Sequence, residues 1–158
     1  MHIRTATAAD VGKLAALTMP VHQMHVDAHP DIFKPLSVDD PYLLAAYQEM
    51  VVDHDVIIFI AEIENEPVGY LVARFKHYAD NIFIHTHTTL YIEQISVAPD
   101  ARGQGCGKGL MQALLSLAKE RQVSRVTLDV WAFNSNAREF FASQGFIVNH
   151  SRMEHPLD

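Results

Sequence analysis

Several stretches of the chain are typical of β-strands, because they are apolar or alternate between apolar and polar residues. These stretches cover residues 2–5, 56–62, 68–77, 88–97, 126–130 and 146–150. Glu64-Asn-Glu-Pro67 has the composition of a hairpin turn and separates two of them. The pattern therefore predicts that a sheet forms the centre of the fold.

The stretches between these strands predict helices. Thr7-Ala-Ala-Asp10 is a capping segment for a helix that continues to about Met19. Further helices are expected at residues 41–53, 110–122 and 134–143, and Gly145 is expected to end the last one. Residues 20–41 contain several His and Pro residues without a firm period, so we expect helix remnants and loop there. The resulting order, βααβββαβαβ, predicts an α/β (α+β) fold.

Length and composition are those of one domain, residues 1–158. Hydrophobic residues make up 49% of the chain, yet no apolar run approaches the roughly 18 to 20 residues needed to cross a membrane. No secretory signal is expected, and a single cysteine excludes an internal disulfide, so we expect a cytoplasmic protein without membrane contact. The net charge of −7 disfavours nucleic acid as a partner and weakly favours cationic small substrates.

Alternating glycines are the strongest chemical signal in the sequence. They lie at positions 103, 105, 107 and 109, between a strand that ends at Pro99 and the amphipathic run 110–118. This spacing leaves backbone N–H groups accessible, and a helix start adds unpaired donors and the positive end of the helix dipole. Arg102 and Lys108 add positive charge. The loop predicts a seat for a diphosphate, with a flexible glycine-rich turn as the alternative.

Two common phosphate-binding motifs do not fit this loop. A Walker loop requires Ser or Thr after Lys108, and the same Lys108 breaks the dinucleotide fingerprint Gly-x-Gly-x-x-Gly. Arg102-Gly-Gln-Gly105-Cys-Gly107 instead resembles the acetyl-CoA pyrophosphate loop of the GCN5-related N-acetyltransferase (GNAT) superfamily. Tyr91-Ile-Glu-Gln-Ile-Ser-Val97 is similar to the family's central strand, and residues 134–146 to its Asn-x-x-Ala…Tyr-x-x-x-Gly-Phe helix. The resemblance covers roughly residues 55–150 well and the first fifty loosely.

The resemblance implies a mixed, mostly antiparallel central sheet flanked by helices, with central strands that splay apart, often at a bulge. It also implies that acetyl-CoA is the cosubstrate, with its diphosphate on the amides of residues 103–109. The pantetheine arm is expected to hydrogen-bond, like an added strand, to the backbone of Ile95, Ser96 and Val97. The alternative is that these three residues only form ordinary hydrogen bonds within the sheet. The implied cofactor-binding residues are Ile95, Ser96, Val97, Arg102, Gly103, Gln104, Gly105, Cys106, Gly107, Lys108, Gly109, Asn134 and Phe141.

Glu93 is the candidate general base. An ammonium acceptor must lose a proton before its nitrogen can attack the thioester, and a carboxylate can accept that proton directly or through water. Glu93 matches the first acid of the family's Ile-Glu/Asp-Asp pair, whereas Gln94 replaces the second and cannot act as a base. The alternative for Glu93 is to orient the amine or to form a surface ion pair.

Phe141 departs from the family pattern, which often has a tyrosine there as the acid for the leaving thiolate. Thiols have a pKa of about 8.5, so a thiolate can leave without a strong general acid. Tyr91, Ser135 or water could replace the donor, and a nearly inactive protein is the alternative. Phe141 itself is expected to pack against the β-mercaptoethylamine arm or in the core.

Two positions near the predicted loop and the last helix allow two interpretations each. Cys106 lies at a helix start, where the pKa of a thiol falls, but no His is close in sequence, so an acetylated cysteine is disfavoured. Asn134 could lie near the CoA arm, as the resemblance implies, or simply cap a helix. Neither position changes the predicted reaction.

Histidines and aromatic residues give weaker signals. His85-x-His87 has no evident third ligand, so no metal is expected. Histidines in the segment 20–41, His25 and His29 among them, could line an acceptor pocket or lie in a solvated loop. Trp131 and Phe133 are expected to pack beside the sheet rather than stack on a base.

Taken together, the motifs predict an N-acetyltransferase that moves acetyl from acetyl-CoA to a primary amine of a small molecule, polyamine-like or other, by direct attack. The alternatives are a protein N-terminal or lysine acetyltransferase and a non-catalytic acyl-CoA-binding sensor. Apolar residues near the C-terminal strand, where family members commonly pair, predict a homodimer: Phe146, Ile147, Val148 and Met153.

Overall fold

A mixed sheet forms the centre of the computed structural model, which describes residues 1–157. Within those residues its strands lie in chain order: β1 (His2–Thr5), β2 (Val56–Ile63), β3 (Glu66–Tyr78), β4 (His87–Val97) and β5 (Arg125–Leu128). The helices are α1 (Val11–Ala28), α2 (Pro41–Val52), α3 (Cys106–Glu120) and α4 (Ser135–Ser143). Neighbouring strands are antiparallel except β4 and β5, which are parallel. The expected mixed, mostly antiparallel sheet flanked by helices is confirmed.

The two faces of the sheet bury separate hydrophobic cores, because successive side chains of a strand point to opposite faces. On one face, α1 and α2 cover a core that includes Leu14, Tyr47, Ile60 and Val72. On the other face, α3 and α4 cover a core that includes Leu71, Leu90, Leu110, Leu114 and Phe141. The α1–α2 face and the α3–α4 face therefore present different side chains of the same strands.

Local signals in the sequence place several element ends correctly. Glu64 and Asn65 have φ values of 52° and 67° and close the hairpin between β2 and β3, as tight hairpin turns require. The carboxylate of Asp10 accepts a hydrogen bond from the amide of Thr7 at 2.7 Å, which satisfies the start of the first helical segment. Asp40 caps α2, and Pro41 follows at its first position.

The prediction that the first helix ends near Met19 is wrong, because α1 continues through Pro20 to Ala28. Proline lacks an N–H group, so the carbonyl of Ala16 loses its usual partner in the helix. Ala16 is exposed, and water can satisfy that carbonyl. Packing of α1 across β3 and β4 then stabilises the helix beyond the proline.

Two further boundaries differ from the prediction. Helix α3 begins at Cys106 rather than at Leu110, so part of the glycine segment is helical. Residues 146–157 form no strand, although their apolar residues resemble one. A strand requires a hydrogen-bonded neighbour, and that long-range pairing cannot be read from an apolar pattern. Among residues 1–157, no helix combines the length and the apolar character that crossing a membrane requires.

Candidate active site

Strands β4 and β5 separate after a short parallel pairing, as expected for the splayed central strands. Thr89–Ile92 pair with Arg125–Leu128, after which β5 ends and β4 continues to Val97. Within the part of the chain that the structure describes, β4 has no strand neighbour on its β5 side from Glu93 onward. We call this opening the β4–β5 gap. Backbone groups without a strand partner can bind an extended ligand like an added strand.

A bulge in β4 lies at the start of the gap. Val72 of β3 is opposite Gln94 and Ala73 is opposite Ile92, so Glu93 is the extra residue in β4. A bulge changes the direction of the side chains that follow it. Here Glu93 and Gln94 both point toward the α1–α2 face.

Peptide groups along β4 face β3 and the gap alternately. The amide of Ala98 donates to the carbonyl of Val68 in β3 at 2.8 Å, so the peptide groups of Ser96, two residues earlier, also face β3. Those of Ile95 and Val97 then face the gap. Three residues are expected to hold the pantetheine arm. Of these, Ile95 and Val97 present their backbone groups to the gap, whereas Ser96 does not.

The glycine loop follows β4 and leads into α3. Gly103 and Gly105 have φ values of 77° and 83°, a conformation that glycine adopts without strain. A Cβ atom at either position would meet no atom within 4 Å, so the loop is open to an approaching group. The first turn of α3 adds the amides of residues 106–108, which have no carbonyl of the same helix to donate to. This geometry fits a diphosphate.

Gly107 and Gly109 are explained by packing. A Cβ atom on Gly107 would lie 3.3 Å from Cζ of Phe140, and one on Gly109 would lie 2.8 Å from Cε of Met1. The amide of Gly109 donates to the carbonyl of Gly105 at 2.9 Å and is not available to a ligand. The expected diphosphate site therefore narrows from residues 103–109 to residues 103–108.

Polar side chains around the loop have mixed roles. Lys108 is exposed at the first turn of α3, where its charge adds to the helix dipole. Nε of Arg102 donates to the carbonyl of Val97 at 3.3 Å, and Nε2 of Gln104 donates to the carbonyl of Asp100 at 3.2 Å. Arg102 thus covers one of the backbone oxygens that face the gap.

Cys106 and Asn134 both have structural roles. Cys106 is only 1% exposed and packs in the same core as Leu110 and Phe141. A buried thiol is poorly placed to attack a thioester. Oδ1 of Asn134 accepts a hydrogen bond from the amide of Ala137 at 3.1 Å and caps α4.

Glu93 is held by an ion pair. Its Oε1 accepts a hydrogen bond from Nε of Arg74 at 2.8 Å, and Nη1 of Arg74 donates to Oδ2 of Asp53 at 2.7 Å. These two carboxylates, Glu93 first, raise the pKa of Arg74. The Glu93 side chain is 22% exposed, and its Oε2 has no partner among residues 1–157. Glu93 is therefore ion-paired through one oxygen, whereas its second oxygen is free of contacts with the described residues.

A buried polar cluster, which the sequence did not predict, lies against Gln94. As placed, Oε1 of Gln94 is 2.6 Å from the hydroxyl of Tyr47 and 2.8 Å from that of Tyr70. The hydroxyl of Thr18 contacts both tyrosines. Burial raises the pKa of both tyrosines, so both hydroxyls keep their protons at neutral pH. We call these four residues the Gln94 cluster.

An aromatic cluster joins the second half of α1 to the loop after β5. Ring centroids lie 5.0 to 5.5 Å apart in five of its pairs, which involve His25, His29, Phe33, Trp131 and Phe133. Of the two alternatives for His25, the solvated loop is wrong, because His25 is a half-buried helix residue with its Nδ1 2.7 Å from the carbonyl of Val21. Because β5 leads into Trp131, the cluster lies near the carboxyl end of β5, where the gap opens.

Tyr91 is a poor replacement for the missing tyrosine acid. Its hydroxyl donates to Oδ2 of Asp129 at 3.0 Å. Burial, followed by the charge and hydrogen bond of Asp129, raises the pKa of Tyr91 to about 12. A group that holds its proton this firmly is a weak acid at neutral pH. Phe141, the family's tyrosine position, is buried between Phe140 and Phe146.

Phe141→Tyr is expected to raise kcat by less than about tenfold, because a thiolate leaves readily without an acid. Phe140→Tyr is the matched control and should give no gain. A gain of about 10²-fold or more for Phe141→Tyr would show instead that loss of the hydroxyl had crippled the protein. We also expect no falling limb of the pH–rate profile near pH 10, since the pKa of Tyr91 lies at about 12.

Metal-binding side chains do not come together among residues 1–157, where no three His, Cys, Asp or Glu side chains could hold one ion. His85 is exposed and lies 3.8 Å from Asp80 between β3 and β4. The ring of His87 stacks on Tyr78. The two histidines singled out in the sequence therefore have other neighbours.

Similarity to known proteins identifies the family. A model of the Acetyltransferase (GNAT) family matches residues 19–146, and the chain therefore belongs to this family. An uncharacterized N-acetyltransferase of Methanocaldococcus jannaschii, MJ1207, is 35% identical over 88 residues, which are 56% of this chain and 38% of that protein. N-alpha-acetyltransferase 30 of Schizosaccharomyces pombe is 28% identical over 127 residues, 79% of each protein. The first two curated relatives are matched over only 38% and 57% of their own length.

Solved structures confirm the fold. A tetramutant of the BH1408 protein from Bacillus halodurans superimposes with a TM-score of 0.93 at 30% identity, over 99% of this chain and 100% of that one. AAC(6')-Iy, in complex with the bisubstrate analog CoA-S-monomethyl-acetylneamine, has a TM-score of 0.77 at 18% identity, over 99% and 97%. The family model and the solved structures therefore agree on the family and the fold.

Proposed function

We propose that this protein transfers an acetyl group from acetyl-CoA to a primary amine of a small molecule. Glu93 carries the proposal, because the bulge of β4 puts its carboxylate where β4 and β5 separate. Ile95 and Val97 offer strand-like backbone groups beside it, and the amides of residues 103–108 follow directly. One segment of the chain thus provides backbone groups for the pantetheine arm, amides for the diphosphate and a carboxylate that can accept a proton.

In the proposed reaction the amine nitrogen attacks the thioester carbon directly. The nitrogen–carbon bond forms, the carbon–sulfur bond breaks, and the nitrogen, which is positively charged after the attack, loses its second proton to the leaving CoA thiolate directly or through water. Oε2 of Glu93 accepts the proton that the ammonium group must lose. Arg74 holds the other carboxylate oxygen, so the base is oriented before the acceptor binds.

The aromatic cluster supports a small acceptor. It connects α1 with the loop after β5 near the opening of the gap, where a protein substrate would need room for its chain. The acidic net charge of −7 favours a cationic amine. AAC(6')-Iy, which shares the fold, was solved with an analog that joins CoA to acetylneamine. The relative named N-alpha-acetyltransferase 30 keeps a protein N-terminus as the second candidate acceptor.

Thiol release from acetyl-CoA tests the proposal with a panel of spermidine, neamine, lysine and a peptide with a free α-amino group. We expect release that depends on at least one small amine, together with a product that mass spectrometry shows to carry one added acetyl group. Preference for the peptide would favour a protein acetyltransferase. Binding of acetyl-CoA without release for any amine would favour a sensor.

Cysteine usage supports a cytoplasmic location. The sequence has one cysteine, and the thiol of Cys106 is buried in the core. Proteins of reducing compartments commonly fold without disulfides. We therefore propose that cell fractionation will place the protein in the cytoplasm.

We also propose a symmetric homodimer that forms through the C-terminal segment. The segment 146–157 forms no strand, yet Ile147 and Val148 are 88% and 78% exposed. Within the described residues, β5 is an edge strand of the sheet, so its outer backbone groups lack a strand partner. A second copy of the chain would cover both features.

Light scattering at micromolar concentration is expected to give twice the chain mass of 17.7 kDa. Ile147→Asp combined with Val148→Asp should give the mass of one chain, because charges at these positions prevent burial of the segment. Ile82→Asp combined with Phe83→Asp, at an equally exposed hairpin tip, is the control and should leave the dimer intact. A parent protein with the mass of a single chain would contradict the proposal.

A further inference from the structure

The Gln94 cluster has more short contacts than its hydroxyl protons can fill. The hydroxyl of Thr18 lies 2.9 Å from the carbonyl of Leu14, 2.8 Å from the hydroxyl of Tyr70, and in contact with that of Tyr47. Both tyrosine hydroxyls also contact Gln94. Three hydroxyl groups supply three protons for these five contacts. If Oε1 of Gln94 faced the tyrosines, two contacts would bring lone pairs together without a proton.

The opposite orientation of the carboxamide fills all five of these contacts and leaves without a proton only the longest one in the cluster, 3.3 Å between the hydroxyls of Tyr47 and Tyr70. The terminal oxygen and nitrogen have nearly the same size, so the surrounding hydrogen bonds determine which one faces the hydroxyls. With Nε2 toward the tyrosines, its two N–H groups donate to Tyr47 and Tyr70. Each tyrosine then donates to Thr18, and Thr18 donates to the carbonyl of Leu14. Five protons fill five contacts.

The other end of the carboxamide is accessible to solvent. It has no hydrogen-bond partner among residues 1–157, and no buried side-chain polar atom of those residues lacks one. The atom must therefore be accessible. Glu93 is the preceding residue, and the bulge turns both side chains toward the α1–α2 face.

We propose that Gln94 binds the acceptor amine through its carboxamide oxygen, which the Gln94 cluster holds on the solvent-accessible side of the carboxamide, on the same face of the sheet as Glu93. This inference rests on the proposed acetyl transfer and assigns the residue that recognises the acceptor. The oxygen accepts a hydrogen bond from an N–H group, so the site favours protonated amines over acceptors that lack a donor. A carboxamide does not take up a proton at neutral pH, so Gln94 binds the amine, and the proton of its ammonium group goes to Glu93.

Hydrogen exchange of the side-chain amide tests the orientation without any need for activity. The Nε2 protons of Gln94, assigned by NMR, are expected to exchange with solvent at least about tenfold more slowly than those of Gln48, because tyrosine oxygens bind them in a buried cluster. Gln48 is exposed on α2 and serves as the reference. A ratio below about tenfold would overturn the assigned orientation.

The KM of the best small amine in the panel tests the binding role. Gln94→Met is expected to raise this KM by about tenfold or more and to change kcat by less than about threefold, because it removes the acceptor oxygen. Gln94→Glu keeps an oxygen on the accessible side and should hold KM within about threefold of the parent, while the loss of the N–H donors to Tyr47 and Tyr70 should lower its melting temperature. Gln48→Met is the control and should change neither constant.

Each other combination of results contradicts the assignment. If both Gln94 variants raise KM, or neither does, the oxygen is not what binds the amine. If only Gln94→Glu raises it, the same conclusion follows. Absence of turnover with every amine would refute the proposed function instead, and amide exchange would then decide the orientation alone.

Discussion

Replacing Glu93 with Gln is expected to lower kcat/KM for the best amine by about 10²-fold or more near neutral pH. The substitution keeps the shape of the side chain, and its amide oxygen can still accept from Arg74, but the proton acceptor is lost. The difference from the parent should shrink at high pH, where the amine is already deprotonated. Rates measured across the pH range therefore check both the size and the cause of the loss.

Asp53→Asn provides the matched control. Asp53 contacts Nη1 of Arg74, whereas Glu93 contacts its Nε. Its substitution weakens the same ion-pair network without removing the base, so the rate should stay within about threefold of the parent. A Glu93→Gln protein as active as the parent at pH 7 would show that proton removal occurs elsewhere.

Gly105→Val is expected to weaken binding of acetyl-CoA by about one to several kcal/mol. Its φ of 83° is strained for any side chain, and a branched side chain would occupy the open space in front of the loop amides. Calorimetry gives the change in dissociation constant. A thermal melt of the same variant shows how much of the strain reduces the stability of the fold.

Gly12→Val is the control for this substitution. Gly12 lies on the exposed side of α1, and a Cβ atom there would also meet no atom within 4 Å. Valine at this position should leave the affinity for acetyl-CoA unchanged. Unchanged affinity in Gly105→Val would remove the loop from the proposed diphosphate site.

Local signals account for what the sequence predicted well. The turn at Glu64 and Asn65, the Asp40 and Asn134 caps, and the glycine loop each depend on residues a few positions apart. Backbone conformation at such sites follows from residue type, so the sequence alone is informative. Glu93 was found through the family resemblance, while the bulge that positions it depends on the register of β3 against β4.

Features that the sequence did not reveal depend on contacts between distant segments. The Gln94 cluster joins α1, α2, β3 and β4, and the aromatic cluster joins α1 to the loop after β5. Helix α1 passes Pro20 because packing outweighs one lost hydrogen bond. The expected final strand is absent from residues 146–150 because strand formation needs a partner. Residue 94 alone carried a hint, as a departure from the family's acidic pair.

A crystal structure with acetyl-CoA bound tests the central claim most directly. We predict that the diphosphate lies on the amides of residues 103–108, that the pantetheine arm hydrogen-bonds to the backbone of Ile95 and Val97, and that the acetyl group ends beside Glu93. The account would be contradicted by density for the cosubstrate outside the β4–β5 gap, or by an acetyl group out of reach of the Glu93 carboxylate.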